Sequence, residues 1–183
     1  MLADVISYRI KPMIKITGIL LNTNGIEFTV IGNVLKELES IIEWSIQNKS
    51  RIGFFAAIYK NVTERIKAAA NKGKFQNREQ IELLDVTFAL RYFTAIDEFW
   101  SNSNTHSAWA FALQKSKLKF TIIIQQLLLS MNPHINIDLA ISSEKVCPDE
   151  KLLFLYPDFL KVNEILALAL DQIEKEIFTC HPC

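Results

Sequence analysis

Lys119–Ser142 reads KFTIIIQQLLLSMNPHINIDLAIS, and the choice between helix and strand for this run decides the fold. From Phe120 to Leu129 it is apolar on nearly every side, interrupted by Gln125 and Gln126. A run of that kind suits a central helix with other helices packed around it. Its β-branched start would also suit a buried strand. Helix is preferred, because every clear neighbour has helical spacing and no partner strand is evident. Pro133 then has to bend the helix or divide it, since proline removes a backbone donor and clashes with the preceding turn. Phe120–Leu129 is too short to span a bilayer, which takes about 20 residues.

The flanking segments repeat the helical period. Upstream, Val34, Leu38, Ile41, Ile42 and Ile46 recur at 3–4 residue spacing after Asn33, a suitable N-cap. Phe54, Phe55, Ile58, Val62 and Ile66 mark a second helix over about 51–71, stopped at Lys72-Gly73. A third runs from Arg78, after Asn77 as N-cap, to Trp100, and a fourth covers about 107–117. Downstream, Pro157–Phe178 forms the last helix, with Phe159, Val162, Ile165, Leu166 and Leu170 inward. Only five glycines and five prolines punctuate 183 residues, too few for many short strands. The expectation is an all-α, bundle-like domain of about six helices over 32–183, its buried central helix kinked at Pro133. Residues 1–31, rich in Ile, Val and Thr, form an N-terminal arm, either a β-hairpin around Asn22–Gly25 or a loosely docked segment.

Charge and cysteine content narrow the setting. Twenty Lys and Arg balance twenty Asp and Glu, leaving no cation excess to neutralise phosphates, so no nucleic-acid partner is expected. The start, MLADVISYRIKPM, lacks the basic and then apolar order of a secretory signal. Three cysteines, Cys147, Cys180 and Cys183, do not make a disulfide framework. A cytoplasmic protein without a transmembrane segment is expected. The terminal Cys180-His181-Pro182-Cys183 spells C-x-x-C, but it ends the chain, where order is poor, and no role is assigned to it.

Two polar clusters interrupt the apolar pattern. His134 and Asp138 lie four apart and share a helix face, flanked by Asn132 and Asn136. Imidazole and carboxylate at that spacing suit two ligands of a divalent metal ion, or a base with its orienting acid. The plainer reading has these residues capping backbone groups freed by Pro133. On the third helix, Ile81, Asp85, Phe88, Tyr92, Ile96 and Phe99 form one stripe, which sets Asp85 in an apolar face with Arg91 at its edge. Buried carboxylates are rare unless paired, so Asp85 either pairs with Arg91 or a facing helix, or meets the His134 cluster together with Tyr92. Asp158 is read as a first-turn residue favouring the dipole of the last helix, and Asn163 as an inward member of the cluster.

These strings together resemble a bacterial all-helical family catalogued as a domain of unknown function. The resemblance covers roughly residues 30–178. It rests on Phe54–Tyr59, Gly73-Lys74-Phe75, Leu84-Asp85-Val86, Arg91-Tyr92, Trp109 and Asp158-Phe159. Its most specific part is Asn132-x-His134-Ile135-Asn136-x-Asp138-Leu139. In such proteins His often stands where this chain has Gln126, and Asn where it has Leu90, so a site using those positions is altered here. The resemblance implies the fold and the site's place in the chain, and no reaction.

Three functions compete. In an enzyme on a small, partly apolar metabolite, His134 is base or metal ligand, Asp138 and Asp85 are orienting acids or further ligands, and Arg91 holds an anionic group. Tyr92, Asn132, Asn136 and Asn163 then contact the ligand. A binding module holds an apolar molecule or lipid in the same place without turnover. A structural or partner-binding protein uses the polar cluster only to fix the chain at Pro133.

Overall fold

A computed structural model describes residues 29–118 and 122–179. The described residues are almost entirely helical, and no strand occurs among them. Helix α1 spans Thr29–Gln47, α2 Ile52–Asn71, α3 Arg78–Trp100 and α4 Ser107–Ser116. Next, α5 (Ile123–Pro133), a π turn (His134–Asp138) and α6 (Leu139–Val146) follow one another without a break. A 3₁₀ turn at Asp149–Lys151 leads into α7, Leu152–Thr179. None of these helices is long and apolar enough to cross a membrane. The expected hairpin of the N-terminal arm and the Cys180–Cys183 tail lie outside the described residues.

The centre of the fold is α2, which packs against α1, α3, α5 and α7. Its residues Phe55, Ala56, Tyr59, Val62, Thr63 and Ile66 are buried, because apolar positions recur on more than one face. The stop expected at Lys72-Gly73 is present. Gly73 takes φ +66°, and the N–H groups of Gly73 and Lys74 return to the carbonyls of Ala70 and Ala69, both at 3.0 Å. Helix α1 lies antiparallel on α2, with Glu39 paired to Lys60 and Ser45 against Gly53.

Three expectations are corrected. The run from 123 to 146 is not the buried centre. Ile124 and Leu128 are 53% and 59% exposed, and Ile123, Ile135 and Ile141 are exposed too, while Gln126, Ser130, His134, Asp138 and Ser142 are buried. The helix lies at the side of the molecule and turns its polar face inward, where α2, α3 and α4 offer partners. The bend or division expected at Pro133 gives way to a change of winding. Pro133 keeps helical dihedrals (φ −64°, ψ −35°), and the chain then widens into the π turn, where the Leu139 N–H reaches back to the His134 carbonyl. A wider turn is one way for a helix to carry on past a residue that cannot donate.

The last helix starts at Leu152 rather than Pro157, and the proline sits inside it. Asp158 is therefore not in a first turn. Its fully buried carboxylate instead accepts the backbone N–H groups of Gln76 and Asn77, at 2.8 and 2.7 Å, and pairs with Lys161 at 3.2 Å. The Asn77 side chain makes no capping bond, so the start of α3 is held by a residue 81 positions further along the chain.

Candidate functional site

The π turn carries the site's two central side chains. His134 and Asp138 are 5% and 1% exposed and face the bundle interior. Asp138 is saturated. Its Oδ1 accepts from Arg91 Nε at 2.8 Å, and its Oδ2 accepts from Trp109 Nε1 at 2.8 Å and from His134 Nδ1 at 3.4 Å. Burial alone would raise this carboxyl's pKa. The bonds from His134, Trp109 and Arg91 outweigh burial and hold it below the usual carboxylate value. Asp138 is thus a fixed anion at neutral pH, anchored from α3 and α4 at once.

His134 is enclosed by rings. Phe88 stacks on it at 3.6 Å between centroids with 10° between planes, and Tyr59 and Phe55 meet it edge-on at 4.7 and 5.3 Å. Burial lowers its pKa, and the bond to Asp138 only partly opposes this, so the ring is neutral at pH 7. A neutral ring that donates from Nδ1 to Asp138 keeps a lone pair on Nε2. That Nε2 has no hydrogen-bond partner among the described residues.

Beside His134 lies a cavity of about 130 Å³. Its walls come from four places: Phe55, Tyr59 and Val62 of α2; Leu84, Asp85 and Phe88 of α3; Met131, His134, Ile135 and Leu139 around the π turn; and Phe159, Val162, Asn163 and Leu166 of α7. The surface is overwhelmingly apolar. Asp85 stands in it at 5% exposure, with Oδ1 at 3.5 Å from the Thr63 hydroxyl and Oδ2 without a partner among the described residues. Burial lifts the Asp85 pKa to about 7, with the Thr63 bond pulling down and the Glu82 charge adding to the rise. The buried hydroxyl of Tyr59, which lines the cavity from α2, likewise has no partner among the described residues.

The sequence-derived residues thus divide. Asp85 and His134 line one cavity, and Asp138 stands behind His134. Arg91 belongs to the cluster, but as a partner of Asp138, so the expected Asp85–Arg91 pair is corrected. Arg91 bonds to Asp138 at 2.8 Å, where Trp109 and His134 also converge. Tyr92 packs 6.1 Å from the His134 ring and does not line the cavity. Asn132 and Asn136 are exposed and bond to each other at 2.8 Å, as neighbours one turn apart do. Asn163 is exposed and lines the cavity from α7. Gln126 is fully buried and donates to the Ala112 carbonyl and Ser130 Oγ, each at 3.3 Å, away from the cavity walls.

The divalent-metal reading finds no third ligand. Among the described residues no group of three or more His, Cys, Asp and Glu side chains gathers, and both Asp138 oxygens are engaged. Trp109, Tyr59 and Thr63 were not singled out for the site. Trp109 carried a signal, since a buried indole N–H requires an acceptor.

The fold and site define an all-helical domain that holds an anchored Asp–His pair against an apolar cavity. The chain belongs to a family of unknown function, DUF5995, whose model matches residues 31–183. No curated protein and no solved structure matches it.

Proposed function

We propose that this protein binds a small, mostly apolar molecule in the cavity between α2, α3, the π turn and α7, and that the molecule's polar group meets His134 and Asp85. One observation carries this reading. Asp85 Oδ2, His134 Nε2 and the Tyr59 hydroxyl are buried around an apolar cavity with no partner among the described residues. Each such group costs about 1–3 kcal/mol if left unsatisfied, and a ligand that meets them recovers that cost. Cavities of this order accept molecules as small as benzene. The Asn132–Leu139 string is read here as the part of the sequence that builds the site, because it supplies the π turn.

The test is direct. Benzyl alcohol is titrated into the full chain while the His134 ring proton resonances are followed by NMR. Saturable shifts are expected, together with a raised melting temperature. Leu84→Phe, which fills the cavity from α3, is expected to lose both. Absence of any saturable shift with benzyl alcohol, benzylamine or indole would overturn the proposal.

Catalysis at the same place is the second reading, favoured by Asp138 standing behind His134 Nδ1 in the relation of an orienting acid to a base. It predicts that a molecule co-purifying with wild-type protein is converted on incubation, and that His134→Gln leaves it intact. Recovery of the same molecule unchanged from both would remove this reading.

A further inference from the structure

We infer that the ligand of this cavity is a small organic cation, an ammonium group on an apolar body, held by Asp85 and His134. The inference rests on the proposal that the cavity takes a small molecule, and it adds that molecule's chemical class.

The first support is the hydrogen-bonding sense of the site. Asp85 Oδ2 accepts when ionised. His134 Nε2 also accepts, because Asp138 fixes the proton on Nδ1. Two acceptors on the residues of one cavity call for a ligand head rich in donors, and an ammonium supplies up to three.

The second support is charge. The cavity lining contains one carboxylate, Asp85, and no Lys or Arg. The nearby guanidinium, Arg91, bonds to Asp138. A carboxylate or phosphate head would meet Asp85 with nothing opposite to balance it, and like charges at such a site repel strongly. A cation would instead give the buried carboxylate a counter-charge.

The third support is the wall itself. Phe55, Tyr59, Phe88 and Phe159 line the same cavity as the acceptors. Aromatic faces attract a desolvated cation, and clusters of them around a carboxylate are how proteins recognise ammonium groups.

The charge state of Asp85 gives the inference a pH signature. The titratable and polar groups around it are Tyr59 and Thr63 from α2 and Glu82 one turn away on α3, with His134 of the π turn lining the same cavity and Asp138 behind that ring. From α7 come only neutral side chains, Phe159, Val162, Asn163 and Leu166. With its pKa near 7, Asp85 is mostly protonated at pH 6 and mostly ionised at pH 8. Cation binding therefore strengthens about tenfold across that interval, while binding of a neutral molecule does not.

The test uses matched probes on the full chain by calorimetry: benzylamine, benzyl alcohol and benzoate. At pH 8 benzylamine is expected to bind about tenfold or more tighter than benzyl alcohol, with benzoate not binding. Asp85→Asn is expected to abolish the amine's advantage over benzyl alcohol, the ratio of the two affinities being what the experiment reads. If that variant does not fold, the wild-type comparison between pH 6 and pH 8 decides the matter alone. Equal or tighter binding of benzyl alcohol or benzoate would overturn the inference while leaving the cavity proposal standing. Failure of benzylamine and benzyl alcohol would overturn the inference, and failure of indole as well would overturn the cavity proposal with it.

Discussion

Two buried carboxylates, one bonded to His134 and one lining the same cavity as it, behave in opposite ways, and the difference is local. Asp138 receives three donors and stays ionised, whereas Asp85 has one long bond from Thr63 and is pushed up to about 7. The folded protein therefore binds a proton at Asp85 between about pH 4 and pH 7 that the unfolded chain has already released. Stability gained below that range is lost as pH rises through it. Asp85→Asn removes the ionisation without changing the shape. It is expected to stabilise the protein by about 2–4 kcal/mol at pH 8 and by much less at pH 4.5, measured by urea unfolding at both values. Equal effects at the two pH values would show that the burial of Asp85 is not what raises it. A carboxylate that destabilises the fold and faces a cavity is the kind of residue a protein keeps for binding. The sequence exposed Asp85 as an oddity, since charge on an apolar stripe is visible in one dimension. It did not expose Arg91's choice of Asp138, because that choice depends on Trp109 arriving from a different helix.

Helices α1 and α2 meet through the smallest side chain available. A Cβ built on Gly53 would stand 2.6 Å from Ser45 Cβ, inside any real contact, so the two helices approach closely only because residue 53 is glycine. Gly53→Ala tests two opposed effects. Intrinsic helix propensity favours alanine by about 1 kcal/mol, while overpacking costs about 1–3 kcal/mol. The steric effect is expected to win, giving a lower melting temperature. Adding Ser45→Gly removes the opposing carbon and is expected to recover part of the loss. A Gly53→Ala protein that melts higher than wild type would mean the helices part without cost. Periodicity made α2 and α3 legible almost to the residue, because each has apolar residues at regular 3–4 spacing. The run 123–146 was legible as helix but not in its orientation. Its isoleucines and leucines face many directions, and the inward face is chosen by buried bonds to Trp109 and Arg91 that no local pattern encodes. The start of α7 was obscured for the opposite reason. Pro157 reads as a first-turn residue, yet α7 begins five residues earlier.

Across the whole molecule, the buried ionisable groups pull stability in different directions as pH changes. Asp85 and the half-buried Glu37 both have pKa values raised by burial to about 7, so acidification from pH 8 favours the folded state. His134 opposes this only below about 6.5, where the unfolded chain takes up a proton that the buried ring refuses. Asp138 and Asp158 have lowered values, so their contribution is complete above about pH 4 and is lost below it. Between pH 8 and pH 6.5 only the raised carboxylates act, and Asp85 alone adds about 1 kcal/mol over that interval. The free energy of unfolding is therefore expected to be higher at pH 6 than at pH 8, and to fall steeply below pH 4. Equilibrium urea unfolding at half-unit steps from pH 3.5 to 8.5 measures the curve. A profile that climbs steadily to pH 8 would mean that Asp85 and Glu37 are ionised at little cost.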